Sequence, residues 1–249
     1  MRPRRTVAIT ARDAARINCW EVPALGNGGT FYPVRVFFEK RGRIKYISHL
    51  DLTRCITRAL GRSRLPVWHT QGFHPHIYVT FALPLSLGYE GVCETMDFRL
   101  TECLPMEEVV SRLNGVFPEG LRASRAQPPV NLPGVIASAD YEITMEFDHV
   151  DGETVKTAFE AFCARPEIPV VKRTKKGERS LDVKPHFLVR GLQAGENAVR
   201  MTMRTAAGET LNINPSLVLD AFAQAGGYQA DWMQVVRTAI LDGDGMNFV

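Results

Sequence analysis

Cysteine is scarce in this chain and badly spaced for metal or redox chemistry. None of Cys19, Cys55, Cys93, Cys103 and Cys163 forms a C-x-x-C pair. That argues against a zinc ribbon, a thioredoxin-like site, or an iron–sulfur cluster held by this chain alone. No stretch approaches the roughly 20 apolar residues of a membrane span. Gly-rich phosphate loops, H-E-x-x-H and G-x-S-x-G are all missing, so the usual signatures of P-loop, zincin and α/β-hydrolase chemistry are lacking. Residues 1–30 are basic but have no continuous apolar h-region. A cytoplasmic protein with reduced thiols is therefore expected. Net charge is only +3, so the overall balance says little about partners.

What charge there is sits unevenly. Residues 41–64 carry Arg41, Arg43, Lys45, Arg54, Arg58, Arg62 and Arg64 against Asp51 alone, and residues 172–190 carry Lys172, Arg173, Lys175, Lys176, Arg179, Lys184 and Arg190 against Glu178 and Asp182. Two basic blocks in a near-neutral chain point to local attraction for an anion.

The chain reads as an α+β protein of two lobes. Residues 1–32, which include "PALGNGG", read as a poorly ordered leader. In 33–126 a strand (Val34 to Phe38) is followed by a turn at Arg41-Gly42 and a short second run ending at Ile47. Ser48 and Asp51 then have the spacing of a capping box. They open a helix to about Gly61 with Leu52, Ile56, Ala59 and Leu60 inward. A strand over 77–82, an alternating strand with Val92, Met96, Phe98 and Leu100 inward, a helix opened by Pro105 and a strand "LRASRAQ" complete a β-α-β-β-α-β order, the ferredoxin-like arrangement. Residues 127–139 are rich in Pro and Gly and read as a linker. In 140–249 the pattern returns as a second, irregular ferredoxin-like lobe. Its helices are "GETVKTAFEAFCAR" and "NPSLVLDAFAQAG", and "DWMQVVRTAIL" is its last strand.

The segment 45–76 concentrates candidate chemistry. Arg54, Arg58 and Arg62 lie four apart and form one helical stripe, a match for a row of phosphates that Lys45 would join. Trp68, Phe73 and Tyr78 are interleaved with histidines, and exposed aromatics beside a basic stripe can stack unpaired bases. Lys172, Arg173, Lys175 and Lys176 would extend the nucleic-acid contact. His49, at the helix start, and His76 could instead act as the base and acid of a metal-independent ribonuclease, with His74 an alternative partner and Arg54 stabilising charge. The histidines could also meet at a metal, but no acid or cysteine completes the loop, so neither metal nor cofactor is expected.

"F-EKRGRIKYISHLDLTR", "LPVWHTQGFHPH", "FALPLSLGYEGVCETMDFRL" and "LN-VFPEGL" resemble the radical SAM-linked protein family, strongly over about residues 34–125 and more loosely beyond. Its members are often encoded beside, or fused behind, a radical SAM protein. The resemblance implies a partner more than a reaction. Because C-x-x-x-C-x-x-C is missing here, it implies a radical SAM protein on a separate chain. Members commonly have Asn where this chain has His74, which favours His76 over His74 as an essential group. The expected function is accessory binding of RNA (tRNA or rRNA) for modification by that partner. A ribonuclease built on His49 and His76, and a protein-docking module that touches no nucleic acid, are the alternatives.

Overall fold

The computed structural model describes residues 22–23, 30–174, 177–226 and 228–249. The rest of the expected leader and the pair Lys175–Lys176 lie outside the described residues. Two compact units emerge. Unit 1 comprises Met1–Glu39, Ser48–Ala82 and Glu94–Val130; unit 2 comprises Lys40–Ile47, Leu83–Cys93 and Asn131–Val249. The changeover between Val130 and Asn131 falls inside the Pro-rich 127–139 stretch, while two earlier segments of the chain are also assigned to unit 2.

Unit 1 contains β1 (Val22–Pro23), all but the last residue of β2 (Thr30–Lys40), α1 (His49–Arg62), β3 (Val79–Phe81), the part of β4 (Glu90–Leu100) from Glu94 onward, α2 (Met106–Asn114) and β5 (Leu121–Gln127). The pairings run β5-β2-β4-β3, with β1 antiparallel to the start of β2. Numbering the four main strands in chain order gives 4-1-3-2, the ferredoxin-like order. Alternation explains the core: Val34, Val36 and Phe38 of β2 and Met96, Phe98 and Leu100 of β4 are all buried, as period two requires. Leu52, Ile56, Ala59 and Leu60 of α1, with Val109 and Leu113 of α2, supply the helical side. Each buried Leu or Ile contributes about 1.5–3 kcal/mol.

The capping box is present. Ser48 Oγ accepts from the Asp51 amide at 3.1 Å and donates to Asp51 Oδ2 at 2.7 Å. The run ending at Ile47 is not a strand. Residues Gly42–Tyr46 form a 3-10 turn, held in unit 2 because the Lys45 carbonyl accepts from Lys40 Nζ and from the Gly88 amide.

On the opposite face of the unit 1 sheet, Arg35 grips Asp97 through two bonds of 2.7 and 2.6 Å. Beside them the Arg99 guanidinium is boxed by Phe31 at 4.0 Å, Tyr78 at 4.2 Å and Trp68 at 5.0 Å. Each such contact is worth roughly 0.5–1 kcal/mol where exposed and more where desolvated.

Unit 2 is built from β6 (Ile136–Glu146), α3 (Gly152–Cys163), the hairpin β7 (Pro169–Thr174) and β8 (Gly177–Asp182), then β9 (Phe187–Ala194), β10 (Ala198–Ala206), α4 (Pro215–Gly226) and β11 (Trp232–Asp242). Its sheet runs β11-β6-β10-β9, all antiparallel. With the β7–β8 hairpin set aside this is again 4-1-3-2, and the hairpin is the irregularity. A 3-10 turn at Lys184–His186 separates β8 from β9. Asp182 Oδ1 accepts from the amides of Ile168 and Lys184 there, and Pro185 removes a ladder donor. Phe159, Phe162 and Phe222 join α3 to α4 in the core.

Residues Glu90 and Gly91 of β4 run parallel to Val236 and Arg237 of β11 within this unit. The preceding "LPLSLG" turn is fastened twice. Arg237 donates to the carbonyls of Leu83 (2.7 Å) and Pro84 (3.4 Å). Tyr89 and Ser86 bond the Asn214 side chain at the start of α4.

Asp151 and Asp182 cap backbone amides and Asp51 accepts from the capping Ser48 hydroxyl, and all three carboxyls are held below the ordinary 3.8. Asp51 is lowered by the Ser48 hydroxyl and then Arg54, Asp151 by the Thr154 side chain, and Asp182 by the Ile168 and Lys184 amides. A depressed folded value gives stability that is present above pH 3.8 and is lost as pH falls through the folded value. Thermal midpoints should therefore hold from pH 7 to 5 and fall below pH 4. Asp151→Asn should flatten that fall. An unchanged acid limb in the variant would refute the assignment.

Candidate nucleic-acid interface

Helix α1 carries two chemistries on two faces. With 3.6 residues per turn, His49 falls in line with Leu52, Ile56 and Leu60 on the side turned to the sheet, and its ring lies edge-on to Phe81 at 5.0 Å. Arg54, Arg58 and Arg62 form the exposed side, with Asp51 and Cys55, around a shallow depression of about 320 Å³. Arg54 pairs with Asp51 Oδ1 at 3.1 Å; the two side chains are 60% and 55% exposed. So open a pair gains little in water and is easily exchanged for another anion. Arg62 donates to the Val116 carbonyl at 3.3 Å, which leaves part of its fork unused. Among the described residues Arg58 has no partner. The stripe read from the sequence is thus a row of solvent-facing guanidiniums.

Residues 67–78 form a hairpin-like finger. Val67 bridges Leu100, the Trp68 amide donates to the Arg99 carbonyl, His69 bridges Ile77, and the Thr70 amide donates to the His76 carbonyl. Gly72, with φ of +131°, turns the tip. Phe73 stands there fully exposed. His76 Nδ1 lies 3.1 Å from the His74 carbonyl and 2.9 Å from Thr70 Oγ1. Nδ1 is thus engaged within the finger by Thr70 and the His74 carbonyl, while Nε2 has no partner among the described residues. His69 Nδ1 faces the Val67 carbonyl in the same way at 3.2 Å.

Two of the expected contacts are corrected. Trp68 is half-buried with Phe31 and Tyr78 around Arg99, so its ring is already occupied and does not offer an open stacking face. Lys45 belongs to unit 2, where its ammonium faces the Glu90 carboxylate at 3.7 Å with the side chain only 12% exposed. It is committed to an internal anion. Lys172 and Arg173 lie on β7, with side chains outside the description, and Lys175 and Lys176 lie outside the described residues. His49 and His76 are held by separate contacts, Phe81 for the one and Thr70 and His74 for the other.

Among the described residues no three His, Cys, Asp or Glu side chains gather as a metal site. Cys55 and Cys163 are free thiols, the Cys93 thiol donates to the Arg237 carbonyl, and burial raises the Cys163 thiol to about 11. No described helix is long and apolar enough to cross a membrane.

Fold and surface together define an α+β protein with two ferredoxin-ordered sets of strands and a basic helix face. The chain belongs to the family described as "Uncharacterized protein conserved in bacteria (DUF2344)", which matches residues 34–215. Comparison with curated proteins gave no match. Among solved structures, a chain from "Crystal Structure of a Cbf5-Nop10-Gar1 Complex" is similar at a TM-score of 0.46 and 12% identity, over 83% of this chain and 48% of that one. This chain therefore corresponds to about half the length of that neighbour.

Sequence reasoning missed Arg99. It reads as one outward residue of an alternating strand, and its aromatic box comes from positions 31, 68 and 78 that only the fold assembles. Its alternation with the inward Phe98 and Leu100 placed it on the right face, but nothing nearby announced the aromatics.

Proposed function

We propose that this protein binds RNA through the exposed face of α1 and serves as a cytoplasmic accessory to a separately encoded radical SAM enzyme that modifies that RNA. The observation that carries the reading is the solvent-facing row Arg54, Arg58 and Arg62 around its depression. Its guanidiniums can exchange weak internal partners for forked bonds to phosphate oxygens. The surrounding sequence supports an anionic partner, since residues 52–89 contain no aspartate or glutamate. The radical SAM partner rests on the resemblance of the "SHLD", "GFHPH" and "LPLSLG" motifs, and tRNA and rRNA are the substrate classes to test first.

Binding should be salt-dependent because each phosphate contact releases counterions. Three contacts to a single strand give a slope of log K against log salt of about −2. An Arg54/Arg58→Glu double variant should lose binding and flatten that slope, as read by anisotropy of labelled RNA at two salt concentrations. Wild-type protein that binds no RNA, but retains the radical SAM partner on purification, would overturn the reading in favour of a docking module.

A further inference from the structure

We infer that the finger at residues 67–78 takes an unpaired nucleobase, with Phe73 as its stacking platform, so that the RNA recognised is looped or single-stranded rather than duplex. This rests on the RNA reading above and narrows its substrate class.

The first support is a division of labour among the motifs. "SHLD" caps α1 through Ser48 and Asp51. "LPLSLG" fastens to Arg237 and Asn214. Both are accounted for by folding. "GFHPH" closes the finger only through backbone and Thr70 contacts, and the Phe73 ring contributes nothing to any core: it is fully exposed. A lone phenylalanine held in water at a turn costs the protein the burial that a core position would give, about 1.5–3 kcal/mol.

The second support is that the finger is stiffened below its tip. The bridges Val67–Leu100 and His69–Ile77 and the bond from the Thr70 amide to His76 fix its stem. The Arg99 box clamps Trp68 and Tyr78 on its two arms. A platform fixed before the ligand arrives loses less freedom on binding.

The third support is the chemistry around the ring. An apolar protein groove or a bilayer would suit aliphatic neighbours. Here the neighbours are His74, Pro75 and His76, and Nε2 of His76 has no partner among the described residues and can hydrogen-bond a base edge or a ribose hydroxyl. The acid-free run 52–89 spans both the finger and α1. Charge and hydrogen-bonding character together favour a nucleotide.

The test uses the full chain with three RNAs of equal length: a single strand, a hairpin with 2-aminopurine in its loop, and a blunt duplex. The wild type should bind the first two more tightly than the duplex and quench the 2-aminopurine. Phe73→Ala should weaken loop binding roughly ten- to a hundredfold, as loss of one stacked base predicts, and leave duplex binding unchanged. Phe73→Trp should restore it. Because Phe73 lies outside the core, unchanged thermal melts will show that both variants fold. If Phe73→Ala binds loop RNA as the wild type does while Arg54/Arg58→Glu does not, the stacking site is wrong and the RNA reading stands. If no RNA binds the wild type, both fall. If Phe73→Ala spares RNA but releases the partner enzyme, the finger is a protein contact and the inference is overturned.

Discussion

Replacing Gly152 with alanine is expected to destabilise the protein by about 3 kcal/mol, lowering the thermal midpoint by roughly 6–12 °C. Gly152 is the first residue of α3, where the turn between β9 and β10 presses on the helix end. Its amide donates to the Glu196 carbonyl at 3.0 Å, and a methyl group there would collide with the backbone carbonyls of Gly195 and Ala198. Backbone cannot swing aside as a flexible side chain would. Either the helix end or the turn must move, and the Asp151 cap to Thr154 moves with it. Gly61 is the control. It lies in α1 with nothing within 4 Å of an added Cβ, so Gly61→Ala should stabilise by about 0.5–1 kcal/mol. The same chemical change should thus shift the melting curve in opposite directions at the two sites. A Gly152→Ala protein that melts with the wild type would show that the close approach is not maintained in solution.

Tyr89→Phe should cost about 2 kcal/mol, although it deletes a single oxygen. The Tyr89 hydroxyl donates to Asn214 Oδ1 at 2.5 Å and accepts from the Ser216 amide at 3.0 Å, while Asn214 Nδ2 donates to Ser86 Oγ at 2.7 Å. The phenol thus satisfies a first-turn amide of α4 from inside the fold, where water would not replace it. Burial pushes its ionisation up to about 12, so the neutral donor persists across the working pH range. Tyr89→Phe and Asn214→Ala combined should cost less than the sum of the single changes, because they break one network. Strict additivity in urea unfolding would contradict the network.

The sequence disclosed what local physics decides. Ser48 and Asp51 announced the start of α1, period two announced Met96, Phe98 and Leu100 as inward, and four-residue spacing put the arginines on one face. These signals lie within a turn or a strand of each other. What stayed hidden depends on residues brought together from far apart. "LPLSLG" looked like an ordinary turn because Asn214 and Arg237, which hold it, lie more than a hundred positions away. Trp68 looked like a free stacking residue because Phe31 and Arg99 were not visible beside it. Lys45 looked like a phosphate ligand because Glu90 was not visible opposite. The exposure of Phe73 could be read locally, because its ring packs against no distant residue.

The interleaving of unit 2 along the chain constrains how the protein is born. Residues 83–93 are fixed by Arg237 on β11 and by Asn214 before α4, both made long after them. Contacts of such sequence separation form slowly, because a long loop must close before any of them rewards it. During synthesis the "LPLSLG" turn must therefore wait without its Asn214 and Arg237 partners while more than a hundred further residues leave the ribosome. The helices and strands of unit 1 lie nearer one another in sequence and can condense in that interval. Folding in the cell is then a race in which the arrival of β11 completes the strands of unit 2, and translation speed through residues 131–242 sets how long the early segment stays open to aggregation or chaperones.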